Sequence, residues 1–537
     1  MTTLPATVVA LAVLSAAGLF PAAALVGVRW ITVPLVPLCG SVVAAVSATC
    51  FLAVGGSFMG WFVGLATAGT AAVATAWSRW PRLRPRRARA GDAGRRGRGF
   101  LIGGIAGMAA VLGSCAWCLR GLATPTVGFD ARAVWLLRTG WFLQSHQQLL
   151  VKMRVSDVPL IQSAYPPLVS ASAAVAASVT GNQSIRLGVV VVALLNTSAL
   201  VVAAFALLDA GRRFSARLST VPSGDGAGPD DSRPDRAVGT AARLVRAAPT
   251  VVGVLAAVAV IFVAFGITEP FMTDGYADPL WSLAAVGAMA YGLQLGVRRP
   301  DQGAAFVLVL VAGMSKDEGL ATGTALMVLI ALRALCTMSA DQRRLRWWRP
   351  VLVGAVELAA LAAWPILIRV LHARGSASGH SPVATMPGRA RATFDGMAPY
   401  LHVLVLAAPV AIVGGLVLAR VRRASGVGND GWSWAALAAG LLAIGGDLVV
   451  GVGAIQPWLE STVHRVTEFG ALAGWWIVAM WAVVASGAPG VARLQGSSGP
   501  PLHDVSHEED PSGQDVRGPG GMPVGTQARM DPSSAAT

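Results

Sequence analysis

The chain has 537 residues, of which 54% are hydrophobic and 13% charged, and its 42 Lys and Arg against 27 Asp and Glu leave a net charge of +15. Ordinary soluble domains carry about 25% charged residues, which excludes a soluble globular fold, and five cysteines in so long a chain exclude a disulfide scaffold. The basic excess falls between apolar blocks, where it sets topology and touches acidic lipids, and no nucleic-acid partner is expected.

Apolar stretches run over 4–27, 31–54, 57–77, 100–119, 186–208, 250–268, 279–297, 302–314, 319–335, 351–370, 400–419, 433–455 and 467–486. Most approach the ~20 residues that cross a ~30 Å hydrocarbon core as a helix. They predict an all-α polytopic membrane protein of about thirteen transmembrane helices, and the mean hydropathy of +0.61 agrees. The first stretch lacks a basic leader and runs straight into further apolar segments, so it is read as a span and not as a signal peptide.

One more segment, from Tyr165-Pro166-Pro167-Leu168 to about Thr180, is short. The positive-inside rule decides its placement. With the nine-arginine connection 79–98 in the cytoplasm and 165–180 not spanning, 30 of the 42 Lys and Arg lie inside. The segment is therefore expected to be an interfacial or re-entrant helix on the outer side. The amino terminus is placed outside and the carboxyl tail inside. The 219–240 stretch and the tail after Ser486 are rich in Gly, Pro, Ser and Asp, a composition that favours disorder.

Ionisable groups inside a membrane domain are costly and usually serve a purpose. Here they gather in the connections assigned to the outer face. Asp130, in Gly128-Phe129-Asp130-Ala131, opens a stretch whose Ala133, Leu136, Leu137, Trp141 and Leu150 are spaced for a helix along the bilayer surface. It is either the N-cap of that helix or a general base for an acceptor hydroxyl. Tyr165 offers an aromatic ring at a stiff Pro-Pro helix start. Asp278, in Gly275-Tyr276-Ala277-Asp278-Pro279, is placed as a helix cap.

Ser315-Lys316-Asp317-Glu318-Gly319 sits between two short apolar stretches, so Lys316 is expected below the membrane surface, facing protein or water. It either neutralises an internal carboxylate or awaits an anion such as a lipid-linked phosphate. Arg465 supplies either a second phosphate ligand, through its planar fork, or a snorkelling interfacial cation. The connection 371–399, with His372, Arg374, His380, Arg389, Arg391 and Asp395, is a mobile lid or a solvated loop. Cys115 and Cys118 have redox spacing but lie in an apolar helix with no activating neighbour, which favours packing. The histidines lack metal-ligand spacing, and no metal ligand is assigned.

In order, these motifs resemble the GT-C superfamily of membrane glycosyltransferases, which includes protein O-mannosyltransferases and lipid A aminoarabinose transferases. The likeness spans about residues 100–340. The resemblance implies a sugar donor carried on polyprenyl phosphate, transfer on the extracytoplasmic face of the cell membrane, and no nucleotide cofactor. It implies that Asp130 activates the acceptor, that Lys316 binds the donor phosphate, and that Tyr165 lines the donor cavity. Tyr276, Asp278 and Glu318 fall on motif positions of the same cavity. Arg465 is added from its placement. Some members carry a second acidic residue directly after the first-loop Asp, where this chain has Ala131.

The acceptor is then a glycan, glycolipid or protein hydroxyl. Residues 1–99 are extra helices and a basic loop, 100–340 the catalytic core, 341–486 further helices, and 487–537 a cytoplasmic tail. The alternatives are a noncatalytic membrane subunit of an envelope-assembly complex and a secondary transporter or flippase. A transporter would place its charges near the midplane of broken helices, whereas these charges lie at one face.

Overall fold

The structure, a computed structural model, describes residues 3–79, 98–123, 125–154, 165–220, 236–295, 298–373, 382–425, 430–450 and 455–497. Most of the basic connection 79–98, most of the 219–240 stretch and the tail from 498 onward lie outside the described residues. Among the described residues there is no β-strand.

The amino-terminal helices are α1 (Thr3–Val26), α2 (Thr32–Val54), α3 (Phe58–Arg79) and α4 (Arg98–Cys118). After two short helices, among them α5 (His146–Arg154), come α6 (Leu168–Thr180), α7 (Ile185–Thr220) and α8 (Arg236–Thr268). The middle of the chain forms α9 (Asp278–Met289), α10 (Arg299–Ser315), α11 (Asp317–Thr337) and α12 (Trp348–Val370). The last group is α13 (Met386–Met397), α14 (His402–Val417), α15 (Asp430–Val450), α16 (Ile455–Val466) and α17 (Glu468–Ser486).

Ten helical stretches among the described residues are long and apolar enough to cross a membrane. They fall on α1, α2, α3, α7, α8, α11, α12, α14, α15 and α17. The other three predicted spans are helical as well: α4, α9 with the π-helical turn Ala290–Gln294 that extends it, and the 17-residue α10. Burial explains how α9 and α10 exist at this length. Every residue of α9 is buried, so protein encloses it and its length need not match a bilayer.

Small residues let the backbones meet, as in other helix pairs that lack a hydrophobic driving force. A Cβ on Gly40 of α2 would stand 1.9 Å from the Leu14 carbonyl oxygen of α1. The α1–α2 pair packs against α6, α7 and α10. The first two helices, read from sequence as extra to the 100–340 segment, thus pack directly against helices of that segment.

Two further expectations change. Ten of the thirteen residues of α6 are buried, between α1, α2 and α7, so no face remains for lipid and the interfacial alternative gives way to a helix enclosed by protein. The stretch after Asp130 does not lie along the bilayer as one amphipathic helix. It breaks into the π-helical turn Ala131–Trp135 and short helices, with Trp135, Leu136, Trp141 and Leu149 all buried.

In the 371–399 connection, residues 374–381, with Arg374 and His380, lie outside the described residues. The rest forms α13, packed on α15 and α16. Its buried Arg389 donates from Nε to the Val449 carbonyl and from Nη2 to the Leu448 carbonyl, both at 2.8 Å. A cation here satisfies the unpaired carbonyls at the end of α15.

Candidate functional site

The antiparallel pair α9 and α10 has two charged ends. Asp278 opens α9 and Lys316 follows α10, while the Leu295 carbonyl and Asp301 mark the opposite end, where both meet Arg213. At 1.5 Å per residue the two ends are roughly 20–25 Å apart. Asp130, Asp278, Lys316, Glu318 and Arg465 gather at the first end.

Lys316 is the single extended residue between α10 and α11, with φ −158° and ψ 160°. The break turns its side chain into the protein, where it is 3% exposed. Its Nζ donates to Asp278 Oδ1 at 2.6 Å and sits 3.1 Å from Glu318 Oε1. The second oxygen of Asp278 lies 3.7 Å from Arg465 Nη1, and Arg465 Nη1 donates to Asp130 Oδ2. The result is a chain of alternating charge: Glu318, Lys316, Asp278, Arg465, Asp130. Its exposed end is Asp130, whose side chain is 28% exposed against 11% for Arg465.

This geometry decides several open readings. Asp130 makes no capping hydrogen bond, and its carboxylate binds Arg465. Asp278 is already the first residue of α9, with no side-chain cap bond from Ala277 before it, and it holds Lys316. Each carboxylate is thus held by a cation, in a charge-assisted hydrogen bond stronger than a neutral cap bond. Lys316 is not a cation awaiting an anion, because Asp278 and Glu318 already match its charge. Arg465 does not snorkel. Its guanidinium lies 5.3 Å over the Tyr276 ring and 5.8 Å over Phe271, close enough for cation–π attraction.

Two connections hold Tyr276 in place. The Gly128 N–H donates to the Asp274 carbonyl at 3.1 Å, and Thr126 Oγ1 donates to the Asp274 carboxylate. Asn196 Nδ2 donates to the carbonyls of Met272 (3.1 Å) and Tyr276 (3.4 Å). Gly275 adopts φ +87°, a left-handed turn that suits glycine. The Tyr276 hydroxyl then accepts from the Asp130 N–H at 3.4 Å. A Cβ on Gly128 would come within 2.0 Å of the Tyr276 ring. Gly128→Ala is therefore expected to push the ring off Arg465 and destabilise the protein by about 1–3 kcal/mol. Thermal unfolding of the detergent-solubilised variant checks this, and an unchanged midpoint would show that the ring has room to move.

Tyr165 stacks on Trp135, with ring centroids 4.9 Å apart and planes at 21°. Burial, with Glu318 nearby, pushes its phenol well above the usual range, so the hydroxyl stays protonated. Residues missed in the sequence also converge here. Arg138 is 1% exposed and donates from Nη1 to the Tyr165 carbonyl at 2.8 Å, leaving Nε and Nη2 unpartnered. It lies in a stretch expected along the bilayer surface, and only the folding-in of residues 131–154 buries it. Glu468, the first residue of α17, is 1% exposed with neither carboxylate oxygen hydrogen-bonded, within electrostatic reach of Asp278, Lys316 and Arg465. A lone acid at a helix start in an apolar run was its only sequence signal.

Carboxylates thus outnumber cations at this end. The helix starts offset part of the excess. Asp278, Asp317 with Glu318, and Glu468 occupy the first turns of α9, α11 and α17. Each helix N-terminus carries roughly half a positive charge and favours an anion. Among the described residues, no three His, Cys, Asp or Glu side chains are grouped to hold a metal ion. A cavity of about 280 Å³ lies beside the site along Arg132, Leu136, Thr139 and Ser184, and none of the charge chain lines it.

The ten apolar helices define the class: an all-helical, multi-pass membrane protein. Compared with known proteins, the chain matches no family model, and no curated protein or solved structure shows significant similarity to it.

Proposed function

We propose that the chain is a GT-C-type glycosyltransferase that moves a sugar from polyprenyl phosphate to a hydroxyl of a glycan, glycolipid or protein. In this proposal all thirteen predicted helices span, and the site faces the extracytoplasmic side of the cell membrane. The observation that carries it is the meeting of Asp130 and Arg465, 335 residues apart in sequence, in one ion pair joined through Asp278 to Lys316. A displacement at a sugar phosphate ester needs a base for the incoming hydroxyl and a cation for the departing phosphate, and this pair holds both.

The exchange of partners is the centre of the mechanism. In the free protein Arg465 is bound to Asp130. An arriving phosphate diester draws Arg465 onto its oxygens and leaves Asp130 unpaired. The acceptor hydroxyl gives its proton to Asp130, its oxygen bonds to the anomeric carbon, and the carbon–phosphate oxygen bond breaks with its electron pair going to the phosphate. Arg465 neutralises the second negative charge that the phosphate gains. Lys316 acts one step back: it holds Asp278, and Asp278 orients Arg465. Tyr276 supports Arg465 from below, while Tyr165 and Glu318 shape the buried wall. The lipid-linked sugar is a substrate, so the reading calls for no nucleotide cofactor.

The test is incubation of the purified chain with a panel of radiolabelled polyprenyl-phosphate sugars and membrane-derived acceptors. Transfer of label from one donor, lost in Asp130→Asn, is the expected result. If no donor in the panel is bound or consumed, the noncatalytic reading takes precedence. It draws on the complete internal pairing of Lys316.

A further inference from the structure

The opposite end of the α9–α10 pair carries a second charged cluster, which the sugar-transfer reading does not use. Asp301, fully buried in the first turn of α10, receives Arg213 through two bonds, Nη1 to Oδ2 at 2.8 Å and Nη2 to Oδ1 at 2.7 Å. Arg29, from the turn between α1 and α2, reaches the same carboxylate at 3.3 Å and Asp209 at 3.6 Å. The turn is fixed from within: the Thr32 hydroxyl donates to the Gly27 carbonyl at 2.6 Å and accepts from the Arg29 N–H at 3.1 Å. Two helix ends, a helix start and a long helix are thereby tied together.

Beside this cluster lies a cavity of about 670 Å³, within the roughly 300–1,000 Å³ range of cavities that hold small ligands. Arg29, Arg212, Arg213 and Arg298 line it, with Asp209 as the acid among them. Among the described residues, Arg29 and Arg213 pair with Asp209 and with Asp301 behind the wall, and Arg298 adds a further positive charge. The Arg298 side chain is exposed and has no ion-pair partner among the described residues, and Arg29 keeps a third of its side chain open.

The rest of the lining is apolar, including Val33, Met108 and Phe205. At its mouth Val28 is 83% and Val33 68% exposed, and Trp30 is half exposed. These residues sit where the spanning helix α1 ends and α2 begins, the level at which a membrane changes from hydrocarbon to headgroups and where Trp concentrates. A water-soluble anion would have no use for the exposed apolar rim, whereas a lipid would use both parts.

We infer that this cavity is a binding site for the phosphate headgroup of an acidic phospholipid, whose acyl chains lie against Val28, Trp30 and Val33. The headgroup phosphate takes Arg298 and the free donors of Arg29, and Arg213 stays with Asp301 as the wall. Basic pockets between spanning helices recognise acidic lipids by this combination of charge and apolar rim. The lipid would clamp the α1–α2 turn to α7 and α10, and so stabilise the contact between the first two helices and the core.

The experiment uses the full chain in bilayers of phosphatidylcholine with or without phosphatidylglycerol. A photoactivatable phosphatidylglycerol is expected to label the peptide around Val28–Val33 or that around Phe205–Ala216 in the wild-type protein. Unlabelled phosphatidylglycerol should compete, and phosphatidylcholine should not. Each arginine near an acidic lipid contributes about a fivefold gain in affinity, so Arg29→Gln/Arg298→Gln should bind roughly 25-fold more weakly and retain one lipid fewer by native mass spectrometry. Labelling elsewhere only, or equal retention by variant and wild type, would overturn the inference. Competition by millimolar inorganic phosphate as effective as that by the lipid would also overturn it, leaving a simple anion pocket. The wild-type labelling stands as a test even if the double variant does not fold.

Discussion

Replacing Asp130 with Asn is expected to lower sugar transfer by roughly 10²–10⁴-fold, the range a positioned general base supplies. Asn has nearly the same shape and can still accept a hydrogen bond from Arg465, so the fold and the exposed end of the charge chain stay in place. What disappears is the group that takes the acceptor proton. Donor affinity should hold or tighten, because an amide competes with the incoming phosphate for Arg465 less well than the carboxylate that holds it now. The effect should therefore fall on kcat and spare the KM for the donor, the pattern of an interaction made in the transition state. Single-turnover assays and donor-binding measurements on the same preparation check this. Near-normal turnover in the variant would remove Asp130 as the base.

Replacing Lys316 with Met is expected to act first on stability. The ammonium is enclosed by Asp278 and Glu318, and removing it leaves two neighbouring carboxylates buried with Arg465 as the remaining cation, 3.7 Å from Asp278. Breaking a buried pair from one side costs about 3–5 kcal/mol. Neutralising the carboxylates as well, in Lys316→Met/Asp278→Asn/Glu318→Gln, should recover much of that loss, since uncharged groups of similar shape carry a far smaller desolvation penalty. The triple variant should still be inactive, because the Asp278 charge that orients Arg465 is then gone. Thermal unfolding of the single and triple variants, beside transfer assays, separates the two effects. If Lys316→Met unfolds at the wild-type temperature, the ammonium does not hold this site together.

These expectations differ from those that follow from the local sequence. In sequence, Lys316 reads as a cation for the donor phosphate or the partner of an internal carboxylate, and Arg465 as a second phosphate ligand or an interfacial cation. Folding separates them: two carboxylates match Lys316, and Arg465 stands next to the exposed aspartate. Asp130 and Asp278 both read as helix caps, since an aspartate before an apolar run is a favourable cap. The competing partner for each lies in another helix, so neither ion pair has a local signature. Arg138 and Glu468 went unnoticed for the same reason. Their chemistry comes from burial, and burial follows from how residues 131–154 and α17 pack. The motif segments themselves were visible, because Gly-rich turns and charges stand out in a chain that is otherwise apolar.

The sequence by itself determined that this is an all-helical membrane protein, and where most helices begin and end. Crossing a hydrocarbon layer is a property of some twenty consecutive residues, and each block satisfies its own backbone hydrogen bonds without help from the others. Tertiary structure alone decided which charges meet, that α1 and α2 pack against α6, α7 and α10, and that α6 is enclosed by protein. Those outcomes depend on which helix faces cross. In an apolar surrounding the crossings are selected by small residues such as Gly18 and Gly40, and by ion pairs between segments hundreds of residues apart.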